Sequence, residues 1–132
     1  MADQNKIRIL IIDDDQGFRS LLRLHLSLAG YDVQVAEDAM AGGRALLERP
    51  PDLIISDIDM PFLNGIELLS LLKGDETTAS IPVIMLSGSR SNDVLAQAAD
   101  LGAADFLSKP VTHDDLLSSI ESCLRRHGRL PA

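Results

Sequence analysis

The stretch that decides the fold is "RILIIDDDQGF", residues 8–18, in which an apolar run from Ile9 to Ile12 meets three consecutive carboxylates, Asp13, Asp14 and Asp15. A strand with one wet face alternates polar and apolar residues. A strand that is apolar at every position is expected in a parallel sheet covered by helices on both sides. The same continuous pattern recurs in "DLIIS" (52–56) and "PVIML" (82–86).

Working outward, short apolar segments at 7–12, 31–36, 52–57, 81–87 and 104–108 alternate with stretches of helical periodicity. Five strands and five helices follow, and short connections imply right-handed crossovers in an open, doubly wound α/β sheet. Helix boundaries have their own chemistry. Asn64 with Glu67 and Thr112 with Asp115 have capping-box spacing. Asp15, just ahead of the first helix, is expected to be its N-cap rather than a ligand. Gly30, Gly74 and Gly102 follow apolar periodic stretches and are expected to close helices in a left-handed conformation. Phe18, Leu21, Leu22, Leu26 and Ala29 are predicted to form the docked face of the first helix, and Leu116, Leu117, Ile120 and Leu124 that of the last. Gly42 and Gly43 each cost the second helix about 1 kcal/mol relative to Ala, so it is expected to be the most mobile.

Composition bounds the function. At 132 residues the chain is expected to be one domain, with a core of about 6–126 and short tails, burying roughly two thirds of its unfolded surface. A net charge of -8 and a pI near 4.6 argue against direct binding to nucleic acid or an anionic membrane. Apolar runs fall short of the ~20 residues that span a bilayer, and "MADQNK" lacks the features of a signal peptide, so a cytoplasmic location is expected. The single cysteine, Cys123, excludes an internal disulfide and is predicted to be partly buried in a helix. His25, His113 and His127 lack metal-ligand spacing; His25 is expected to be partly packed and the other two solvated. "KGDETTAS" (73–80) is read as a surface loop.

Doubly wound sheets place their sites beyond the C-terminal ends of their strands. Those ends bring Asp13 and Asp14, Asp57, Ser87 and Lys109 to one edge; Ser89 follows Ser87 in the same loop. Clustered carboxylates raise one another's pKa unless a cation neutralises them. Magnesium, or manganese, is the natural partner, because a hard ion takes carboxylate and phosphate oxygens. Asp57 can then act as a nucleophile that becomes an aspartyl phosphate. Lys109 and the Ser87 hydroxyl would serve the phosphoryl oxygens.

Over almost the whole chain, about residues 6–126, this set resembles the receiver domains of two-component response regulators, of which the chemotaxis receiver is the minimal form. The matching motifs are the acidic pair in "ILIIDDD", the acceptor in "PDLIISDIDMPFLNGIELL", the hydroxyl in "IPVIMLSG" and the Lys-Pro in "GAADFLSKP". The resemblance implies a (βα)5 sheet of flavodoxin-like order 2-1-3-4-5. It implies that Asp57 is the phosphoacceptor and that Asp14 binds the metal directly. Asp13 would act largely through water, and the backbone carbonyl of Asp59 would complete the protein ligands. The phosphoryl donor would be a histidine kinase, a histidine phosphotransfer protein or a small acyl phosphate, making the chain a signalling phosphoacceptor that catalyses only its own phosphorylation and dephosphorylation. Ser87 and Phe106 match the switch positions, and the fourth helix, fifth strand and fifth helix would be read by a downstream effector; a weak dimer on phosphorylation is a further expectation. A cis bond before Pro110 is also implied. Phe106 lacks the hydroxyl of the Tyr often found there, Val111 replaces a frequent Phe, and Asp59 adds a carboxylate where water would approach the acyl phosphate.

Two other classes share parts of this set. A haloacid-dehalogenase-type phosphatase also uses an Asp-x-Asp, but in that family it precedes the acidic pair, whereas Asp13 and Asp14 precede Asp57. A flavodoxin-type FMN carrier shares the topology, but "DDDQG" would repel its phosphate.

Overall fold

The computed structural model describes residues 6–60, 63–88 and 92–130. Five strands, β1 (Arg8–Ile12), β2 (Asp32–Ala36), β3 (Leu53–Asp57), β4 (Val83–Ser87) and β5 (Asp105–Ser108), form one parallel sheet in the order β2-β1-β3-β4-β5. They alternate with α1 (Gln16–Leu28), α2 (Ala39–Glu48), α3 (Gly65–Lys73), α4 (Asn92–Asp100) and α5 (His113–Arg126). This is the expected doubly wound, flavodoxin-like order.

The continuous apolar strands are explained by two cores. Ile9 and Ile11 of β1, with Leu53, Ile55, Ile84 and Leu86, pack against Leu22 and Leu26 of α1 and Leu116, Ile120, Cys123 and Leu124 of α5. On the opposite face Leu10, Ile12, Ile54, Val83 and Met85 meet α2, α3 and α4 through residues such as Leu46, Leu69 and Ala98. Alternate residues of each strand thus feed opposite layers. Cys123 is fully buried, further than expected, and burial pushes its thiol pKa up.

The caps follow the sequence with three exceptions. Asp15 accepts from the Phe18 amide at the start of α1, and Asp38, not anticipated, does the same for α2 through Ala41. Asn64 and Glu67 close a full capping box, whereas Thr112 accepts from the Asp115 amide without a reciprocal bond, Asp being one methylene shorter than Glu. Gly30 and Gly102 have positive φ, but Gly74 caps α3 at φ -84, an ordinary right-handed conformation. The segment after it turns back instead, and the Lys73 ammonium donates to the Ala79 and Ile81 carbonyls at 3.0 and 2.9 Å.

The docked face of α1 also differs from expectation. Phe18, Leu22 and Leu26 face the sheet along an i, i+4 row, but Leu21 is 50% exposed and Ala29 is exposed. His25 and His113 are not separate. Their Nδ1 atoms lie 3.0 Å apart with rings edge to face, tying α1 to the first residue of α5.

Candidate functional site

Backbone bonds beyond the strand ends set the site. The Asp13 amide donates to the Ala36 carbonyl, the Ile58 amide to Leu86, and the Lys109 amide to Ser87, so the sheet ladder extends one residue past β1, β3 and β5. Asp13, Asp57, Ser87 and Lys109 therefore converge at one edge. Pro110 follows Lys109 through a cis bond, as expected from the resemblance.

Ile58, just past β3, is drawn against the first residue of α3. The Gly65 amide donates to the Ile58 carbonyl at 2.9 Å, and a Cβ on Gly65 would overlap the Asp57 carbonyl oxygen and stand 2.8 Å from Ile58 Cα. The glycine is required by close backbone approach, not by unusual dihedral angles.

Carboxylate oxygens of Asp13, Asp14 and Asp57 lie within 4.8 Å of one another, the only group of three or more acidic, His or Cys ligands among the described residues. Asp13 and Asp57 are nearly buried, 1% and 4% exposed, while Asp14 faces solvent. Asp13 is held on both oxygens. One accepts the Asp15 amide at 2.9 Å and the other the Lys109 ammonium at 2.9 Å. Arg19, which sequence reasoning missed, donates to the Asp13 backbone carbonyl at 2.8 Å.

Lys109 stands 3.5 Å from Asp57 Oδ1 and 4.5 Å from the centroid of the Phe18 ring. Burial lowers its pKa, but the Asp13 hydrogen bond and charge, followed by Asp57, outweigh burial and raise it overall. Asp57 goes from 3.8 to about 6: burial is the main cause and the Asp13 charge the next, opposed by Lys109 and by the Asp59 amide, while the Asp59 charge adds slightly to the rise. That amide donates to Asp57 Oδ1 at 3.3 Å. The buried Ser87 hydroxyl donates to Asp59 Oδ2 at 3.2 Å.

This donor set fits a magnesium ion. It is all oxygen, has one solvent-facing carboxylate, and includes a nearly buried carboxyl whose raised pKa a divalent cation would reverse. Phe106 lies in β5, partly buried against the core of the α2, α3 and α4 layer. Ser89 and the Pro61 of the acceptor motif lie outside the described residues. Among the described residues, no helix is long and apolar enough to cross a membrane.

Comparison with known proteins agrees with this geometry. Residues 9–121 match the family described as response regulator receiver domain. The DNA-binding dual master transcriptional regulator RpaA of Synechocystis is 40% identical over 124 residues, covering 94% of this chain and 52% of the relative. The phosphate regulon transcriptional regulatory protein PhoB of Pseudomonas aeruginosa is 38% identical, covering 91% of this chain and 52% of its own. The chain spans about half the length of these curated relatives. Among solved structures, a response regulator receiver domain protein from Clostridium thermocellum superposes with TM-score 0.86 at 31% identity, covering 92% of this chain and 97% of that one. The chemotaxis protein CheY4 of Vibrio cholerae gives 0.85 at 27% identity, covering 90% and 99%.

Proposed function

Because the chain belongs to the response regulator receiver domain family of two-component signalling, we propose that it is a phosphoacceptor whose Asp57 takes a phosphoryl group from a phosphohistidine on a histidine kinase or phosphotransfer protein, or from an acyl phosphate. The observation that supports this best is the convergence of three carboxylates within 4.8 Å beside a lysine 3.5 Å from Asp57.

In the proposed step an Asp57 oxygen attacks phosphorus, the bond from phosphorus to the donor nitrogen or acyl oxygen breaks, and the leaving group takes the electron pair and, where needed, a proton. Asp13, Asp14, Asp57 and the Asp59 backbone carbonyl would hold magnesium. When bound, the ion supplies Lewis-acid neutralisation of phosphoryl oxygens. Asp57 must be ionised to attack, so neighbours that lower its pKa favour the reaction. Lys109 lowers it and stands ready to meet the new negative charge. Asp13 restrains Lys109 and keeps the ammonium at the pocket. Ser87 and Phe106 would respond to the added charge by repositioning and repacking, altering the α4, β5 and α5 face that an effector reads.

Incubation with acetyl phosphate and magnesium should add one phosphoryl group by intact mass to the wild type and none to Asp57→Ala. Equal labelling of the two would overturn the assignment.

A further inference from the structure

We infer that Asp59 is a positioning residue that holds the Ser87 hydroxyl in the unphosphorylated protein and competes for it with a phosphoryl group on Asp57. The inference rests on the phosphoacceptor reading above and assigns a regulatory role within the same site.

Asp59 touches both halves of the site. Its amide donates to Asp57 Oδ1 at 3.3 Å, and its carboxylate accepts from Ser87 at 3.2 Å across the gap between the ends of β3 and β4. Asp59 is exposed, so core packing does not impose its position, whereas Ser87 is fully buried. A serine hydroxyl has one proton and donates it in one direction at a time. Recruitment of that proton by a phosphoryl oxygen therefore breaks the bond to Asp59. A carboxylate accepts such a bond more strongly than a neutral oxygen at the same distance would, because charge-assisted hydrogen bonds exceed neutral ones. The 3.2 Å separation is long for O–H···O, which makes this a weak hold. Separately, the Asp59 charge repels any anion on Asp57 whether or not Ser87 is present. The two effects differ in their dependence on Ser87, and that dependence tests the inference.

The experiment is a calorimetric titration of beryllofluoride, a non-covalent phosphoryl mimic, at saturating magnesium. It uses wild type, Asp59→Ala, Ser87→Ala and the double variant, with Asp57→Ala as the reference for lost binding. With Ser87 present, Asp59→Ala should tighten binding about five-fold, and with Ser87 replaced by Ala the same change should give less than about two-fold. Equal tightening in both backgrounds would assign Asp59 to charge repulsion alone and overturn the hold on Ser87. Unchanged affinity of Asp59→Ala beside normal wild-type binding would overturn it while leaving the phosphoacceptor reading intact. Wild type that does not bind, or Asp57→Ala that binds as well as wild type, would overturn both.

Discussion

The Lys109 ammonium is closer to Asp13 than to Asp57, at 2.9 Å against 3.5 Å. The lysine therefore neutralises the buried member of the acidic pair in the resting protein while remaining within reach of Asp57. Removing it leaves two nearly buried carboxylates facing each other. Lys109→Ala should destabilise the metal-free protein by about 3 kcal/mol at neutral pH, the scale for breaking a buried ion pair. Urea unfolding with and without magnesium measures this, and the ion should recover part of the loss.

The Asp57 carboxyl gives a pH signature. Its pKa in the fold, about 6 against 3.8, means that the folded state retains a proton that the unfolded chain has released between those values. The associated stability is fully present below the unfolded pKa and is lost as pH rises through the folded one. Two pKa units correspond to about 3 kcal/mol. Asp57→Asn cannot ionise, so in chelator it should exceed wild type by about 2–3 kcal/mol at pH 8 and match it near pH 4. A pH series of urea titrations followed by circular dichroism checks this, and a pH-independent gap would contradict it.

Asp14 is the exposed corner of the carboxylate group. Asp14→Asn should therefore change metal-free stability by no more than about 0.5 kcal/mol, as surface substitutions usually do. It should nevertheless remove most of the rise in melting temperature produced by millimolar magnesium, because ligand stabilisation follows site occupancy. Thermal scans in chelator and in magnesium separate the two effects.

The adjacent glycines of α2 should respond oppositely to alanine. A Cβ on Gly42 would stand 2.6 Å from Ile12 Cδ1, whereas one on Gly43 would meet no atom within 4 Å. Gly42→Ala should destabilise by up to about 2 kcal/mol, overpacking of about 1–3 kcal/mol being partly offset by about 1 kcal/mol of helix propensity, and Gly43→Ala should stabilise by roughly 0.5–1 kcal/mol through helix propensity. Chemical denaturation of the two single variants is sufficient to test this.

Much of the fold was legible because strands buried on both faces are apolar at every position. The ends of "ILII" and "DLIIS" accordingly located Asp13, Asp14 and Asp57. The (βα)5 order makes residues distant in sequence neighbours at one edge, which brought Ser87 and Lys109 to the same place. What was not legible depends on side-chain reach and helix rotation. Leu21 lies beside Phe18 on a helical projection, but α1 docks along Phe18, Leu22 and Leu26 and turns Leu21 outward. The His25 and His113 contact joins residues 88 apart, beyond any local period. Gly74 needed no left-handed turn because its amide closes onto the Ser70 carbonyl with a right-handed backbone. The bond from Ser87 to Asp59 depends on the path of the chain after β3, which periodicity does not describe.

The contact of Gly65 with the backbone of Asp57 and Ile58 has a hereditary consequence. Every substitution that changes this glycine to another amino acid installs a Cβ, and here that atom collides with main chain, which cannot swing aside. The charged rim of the pocket can therefore vary one residue at a time, whereas position 65 tolerates a side chain only if helix α3 and the Asp57–Ile58 backbone move apart.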